Sequence, residues 1–247
     1  VMLEFFGNFL NFVYRIFEYF AVSFFQNTGV FFKAVIEAPF SSFFELLIVC
    51  FLLGVAVTVL LGVAKSIARF SVVPLIDAVE SFTRFFGLVG AWGTTFLIVA
   101  MVFEVISRYF LNAPTKWAFE VAYMLMGTSF MFGIAYCLQM RRHVRVDFFY
   151  DNISIKSRAV VDLFGFCILL PMIIWLSAGL WDYFHQAYKV NELSGESAWN
   201  PIIWPFKFAF VMGFILLLMQ TVVEVTKNIL VLATGDAPKT KMREKAK

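Results

Sequence analysis

The side chains able to do chemistry in this chain are few, and their spacing limits what they can do. There are two histidines, His143 and His185, and three cysteines, Cys50, Cys137 and Cys167. A haem held within a membrane wants axial ligands at matching depth inside apolar segments. His143 sits in a basic run between two apolar stretches, and His185 sits just past the far end of the next one. A membrane thickness separates them, which argues against bis-histidine haem ligation within one chain. The cysteines fall inside apolar stretches, with no CxxC and no metal-ligand spacing. They read as small buried apolar residues, not as ligands or disulfide partners. The sequence has no HExxH, no GxSxG and no Walker Gly-Lys-Ser/Thr loop. The expectation is therefore no enzyme activity, no metal, no cofactor and no nucleic-acid partner.

Charged side chains supply the remaining candidates. The densest run is Arg141-Arg142-His143-Val144-Arg145-Val146-Asp147. In an extended strand His143, Arg145 and Asp147 project to one side, so Asp147 can tie back Arg145 or His143. The run reads as a positive anchor beside anionic lipid, and its alternation with valine also suits a structural lock or a partner contact. A second constellation is the hairpin Arg108-Tyr-Phe-Leu-Asn-Ala-Pro-Thr-Lys-Trp-Ala-Phe-Glu120. Asn112-Ala113-Pro114 supplies a tight turn, and Trp117 suits the lipid interface. Glu104 precedes Arg108 by four residues on one helical face, and Glu120 opens the returning helix. These charges either form an Arg108–carboxylate clamp across the hairpin or snorkel separately to the membrane edge. The third constellation is the loop from Glu192 to Pro205. Its Glu192, Glu196, Trp199 and Trp204 make either a rim for a soluble partner or a plain aromatic belt.

The elements that position these groups are membrane helices. The 247 residues are 61% hydrophobic and 19% aromatic, and only 15% are charged. Soluble domains carry roughly 25% charge. With 33 phenylalanines, the chain cannot be one apolar core inside a polar shell. The fold class expected is all-α integral membrane, with five or six spans plus amphipathic interfacial helices. Apolar stretches long enough to span run from Phe43 to Ala64, Leu88 to Ser107, Trp117 to Leu138, Ala159 to Trp181, and Phe206 to Val225. Residues 232–247 form a polar, disordered tail. Ser66 to Phe86 is predicted to be a helix in the membrane interface with a kink at Pro74. In the first segment Glu4, Asn8, Asn11, Arg15 and Glu18 make a narrow polar stripe on an aromatic helix. It either lies at the surface or inserts, so the count is five or six spans. With Glu4 where a basic region belongs, the start is not read as a cleavable signal.

Alternating the loops places most of the 20 Lys and Arg residues on one side. That side holds Arg141, Arg142, Arg145 and the tail, and by the positive-inside rule it is cytoplasmic. The Glu192 to Pro205 loop then faces outward.

With these residues in place, the chain resembles the small membrane subunit (Q-type small permease) of tripartite ATP-independent periplasmic, or TRAP, transporters. The likeness covers roughly Gly87 to Val231. It rests on Arg108-Tyr-Phe followed by Pro114-x-x-Trp117-x-x-Glu120, and on a span rich in small residues (Gly127, Thr128, Ser129, Gly133). The His-Val-Arg-Val-Asp loop and the outer Glu192-x-Ser194 and Trp199-x-Pro201 signals complete it. The resemblance implies a four-helix transmembrane core over 87–231 in the bacterial inner membrane, multi-pass, with both ends cytoplasmic, and it leaves residues 1–86 as an N-terminal extension with one or two extra spans. It implies a non-catalytic scaffold subunit of a sodium-coupled secondary transporter for organic acids, carboxylate or sulfonate. Its partners would be a large membrane subunit holding the substrate and sodium sites, a periplasmic binding protein, membrane lipids, and a second copy of the complex in a homodimer. Two other readings compete: the membrane anchor of a redox enzyme, and a stand-alone small transporter.

Overall fold

A computed structural model describes residues 43–140 and 154–235, together with Arg15. The first segment, the His143–Asp147 loop and the tail beyond Gly235 lie outside the described residues. Within them the chain forms α1 (Phe43–Arg69), α2 (Val73–Tyr109), α3 (Ala118–Gln139), α4 (Ile155–Val190) and α5 (Trp204–Thr234). All five are long and apolar enough to cross a membrane, in line with the all-helical expectation.

Several helix boundaries have a local cause. The α1–α2 connection is a tight reversal: Phe70 takes a left-handed conformation at φ 47°, and Ser71 N donates to Ser66 O at 3.1 Å. That i to i+5 bond closes the end of a helix. Pro74 sits in the first turn of α2, where its missing N–H has no intrahelical acceptor to lose. The predicted kink at Pro74 therefore does not occur. Ser66–Arg69 finish α1, and the stretch from Val73 to Phe86 is the beginning of one unbroken 37-residue helix. Ser154 caps α4 by accepting from Ser157 N at 3.2 Å. Asn191 ends α4 in a left-handed conformation at φ 45°, and Gly235 ends α5 at φ 81°.

Within these helices the uncharged windows are Leu46–Ala64, Phe85–Phe103, Val121–Gln139, Leu163–Trp181 and Phe208–Val223. Most approach the ~20 residues that cross a hydrocarbon core. Charges collect at two poles. The loop pole carries the connections 110–117 and 191–203. The turn pole carries the 70–72 reversal, the end of α3, the start of α4 and the end of α5.

Helix α5 is the axis of the assembly. In its apolar window 61% of residues are buried, against 11% for α2 and 28% for α4. It packs against α4 and α3, and α2 packs on α3 and α1. The core is aromatic: Phe51 meets Phe86 edge-on at 5.2 Å, Phe86 meets Phe132 at 5.4 Å, and Phe184 meets Phe208 at 5.0 Å. Trp92, Phe96 and Phe164 point outward instead, as lipid-facing residues do.

Candidate functional site

At the loop pole, Glu104 is the organising group. One carboxylate oxygen accepts from Arg108 Nε at 3.0 Å and Nη2 at 2.5 Å. The other accepts from the Thr115 backbone N–H at 3.1 Å and from the Thr115 hydroxyl. The carboxylate reaches across the hairpin to the returning strand of the turn, so α2 and the 110–117 connection are tied by one buried side chain. Asn112 at φ 50° makes the turn itself, and Ala113 N donates to Ser107 O at 3.0 Å. Trp117 stacks on Phe103 at 5.9 Å. The sequence left a clamp and three separate side chains as alternatives, and the geometry is a clamp of two. Glu120 stands apart from it. It is fully buried in the first turn of α3, where the helix N-terminus favours negative charge. Neither of its oxygens, nor the Tyr123 hydroxyl one turn on, has a hydrogen-bond partner among the described residues.

The 191–203 connection is equally ordered. A bridge between Leu193 and Ile202 is flanked by Ser194 N to Pro201 O and Ile203 N to Glu192 O, both 2.9 Å. Asn200 Oδ1 accepts from Gly195 N at 2.8 Å, which the left-handed Gly195 (φ 68°) permits. Glu192 is engaged within the chain, bonded to Lys207 Nζ at 2.6 Å. Lys207 in turn lies 3.7 Å over the Tyr183 ring. Glu196 and Trp199 stand exposed at the tip. Trp204 does not belong to that rim. It is 3% exposed, edge-on to Tyr188 at 5.3 Å and to Phe44 at 6.0 Å. As the first residue of α5 it is turned inward with the axial helix.

The turn pole holds a buried ionic cluster that the sequence reading missed. Lys227 Nζ bonds Glu224 at 2.6 Å and also bonds Glu80 of α2. Gln139 of α3 donates to the Glu80 backbone carbonyl at 3.0 Å, and Gln220 Nε2 lies 3.4 Å from Glu224. All of these side chains are buried. The signal was legible in part: Gln220, Glu224, Lys227 and Asn228 recur at helical spacing on the last span. Their partner Glu80 lies in the stretch expected to float as an interfacial helix, and it is instead bolted to α5.

Close helix approach comes mainly from glycines of α2. A Cβ on Gly87 would lie 2.6 Å from Tyr136, and one on Gly90 would lie 3.1 Å from Phe132. On α5, a Cβ at Gly213 would fall 2.7 Å from Met131 Cβ and 2.8 Å from its carbonyl. Of the glycines singled out in the sequence, Gly127 faces the Phe206 ring, which an added Cβ would meet at 2.9 Å, while Gly133 faces open space. The three cysteines are free and exposed, contrary to the expectation that they are buried. In a membrane the outer helix face meets lipid, so a small apolar thiol is tolerated there. His185 is buried near the end of α4. No group of three His, Cys, Asp or Glu side chains able to hold a metal ion occurs among the described residues. His143, Arg145 and Asp147 lie outside them.

A sequence model of one family matches residues 97–230, from the middle of α2 to the last turns of α5; its description is Tripartite ATP-independent periplasmic transporters, DctQ component. No curated protein and no solved structure matches the chain.

Proposed function

The chain belongs to the DctQ component family of tripartite ATP-independent periplasmic transporters, the small permease component, and on that premise we propose that it serves as a scaffold instead of a carrier. The supporting observation is where the charges lie. In the described helices they cluster at the two poles, several in internal pairs, and the windows between are continuous apolar helix. Carriers typically place ionisable groups or interrupted helices near mid-membrane. Here the outward faces of α2 and α4 offer lipid-like surface for a larger membrane partner, which would hold the substrate and sodium sites.

In this reading the loop pole is periplasmic. Glu196 and Trp199 form the rim toward a binding protein that delivers an organic acid, carboxylate or sulfonate. The turn pole, with the His143–Asp147 loop and the tail, is cytoplasmic, and the positive-inside bias supports that orientation.

Reconstitution tests the scaffold role. Proteoliposomes with this chain alone should show no sodium-driven uptake of organic acids, and uptake should appear when the large subunit and binding protein are added. Uptake by the chain alone would overturn the proposal, and Soret absorption from the purified chain would point to a haem anchor instead. Glu196→Lys should raise the binding-protein concentration needed for half-maximal uptake and leave the melting temperature unchanged. Glu192 is a poor probe of docking, because changing it also breaks the Lys207 pair.

A further inference from the structure

A groove of about 350 Å³ opens between α1 and α2 at the turn pole, apart from both the loop-pole clamp and the buried ionic cluster. Its α1 wall carries, beside Thr58 and Gly62, a stripe at steps of four: Val57, Leu61, Lys65, Arg69. The first two lie inside the uncharged window that ends at Ala64, and the last two lie beyond it. The stripe therefore changes from apolar to cationic toward the turn pole, the profile of an amphiphile lying along the helix.

We propose that this groove seats one anionic phospholipid, with its phosphodiester at Lys65 and Arg69 and an acyl chain along Val57 and Leu61. Both cations are exposed, and neither makes an ion pair among the described residues. Their surroundings are apolar: Ile67 is 69% exposed and Phe70, at the reversal, 99% exposed. Exposed apolar side chains of that size mark a membrane or protein contact surface. The groove's floor is set by the close approach of the two helices at Gly62, where a Cβ would lie 2.6 Å from Leu75 Cδ1 and 3.2 Å from its Cα.

Asp77 also lines the α2 wall. Lys65 and Arg69 favour a headgroup of net negative charge over a zwitterionic one, whose ammonium they repel. Headgroup attraction to each such cation is substantial near a membrane surface.

Lipid extraction and mass spectrometry of the full-length chain, purified after exchange into phosphatidylglycerol or phosphatidylethanolamine nanodiscs, tests this. Wild type should retain phosphatidylglycerol through detergent washing, and Lys65→Gln with Arg69→Gln should lower retention on the order of tenfold. Lys156→Gln, which removes an exposed cation at the same pole outside the groove, should leave retention unchanged. In a second measurement that needs no variant, phosphatidylglycerol should raise the wild-type melting temperature, while phosphatidylethanolamine and inorganic phosphate should not. Equal retention of the two lipids, stabilisation by phosphate alone, wild-type retention in the double variant, or an equal loss in Lys156→Gln would each overturn the proposal.

Discussion

At the loop pole Glu104 finds Arg108 four residues along its own helix, while at the turn pole Glu80 finds Lys227 across 147 residues of chain. The first pair is half in solvent, with the Arg108 side chain 55% exposed. The second is enclosed by α2, α3 and α5, and its lysine is shared between two carboxylates. A local pair on one helix holds a turn together, and its loss is softened by water. A non-local pair away from water holds separate helices in register, and losing one member strands charge where nothing solvates it. The two poles thus divide the work: one shapes a connection, and the other joins the N-terminal helices to the part of the chain that carries the family match.

Substitutions at the two poles test that division. The largest effect is expected from Lys227→Met, which leaves Glu80 and Glu224 buried together without the ammonium. Breaking such a pair costs about 3–5 kcal/mol, to be read as a fall in melting temperature in detergent. Adding Glu80→Gln should recover part of the loss, and a purely additive double variant would show that the cluster is not a coupled unit. Glu104→Ala should cost about 1–3 kcal/mol, because the Thr115 N–H loses its acceptor as well as the Arg108 partner. Glu192→Gln leaves Lys207 with the Tyr183 ring and should cost about 1–2 kcal/mol, since the Glu192 side chain is partly exposed. Arg108→Gln should cost less than about 1 kcal/mol, discounted for solvent screening. Raising salt should narrow the gap between Arg108→Gln and wild type while leaving the Lys227→Met gap in place. A salt-sensitive Lys227 effect would place that cluster in water and erase the contrast.

How much of this could be read from residue order follows the same divide. The Glu104–Arg108 pair was legible as a candidate because four residues on a helix put two side chains on one face. Glu120, next to it in the motif, was not separable until α3 turned that carboxylate inward, away from Arg108. Trp199 and Trp204 looked alike as loop aromatics, yet the first is exposed and the second is packed against Tyr188. Pro74 was read as a kink, and the reversal at Phe70 instead made it the first turn of a helix. The fold class was safer ground, because a chain so apolar has few ways to bury its backbone polar groups except in spanning helices.

Composition and the spacing of charges were enough to establish membrane helices and their approximate spans, since both depend on properties local to a segment, and the family likeness was carried by short motifs in their order along the chain. The burial of α5 as the axis, the seating of Glu80 on Lys227 and the groove between α1 and α2 emerged only on packing. They depend on which faces of distant helices meet, and lipid and helix surface are so alike in polarity that hydropathy cannot tell one face from the other.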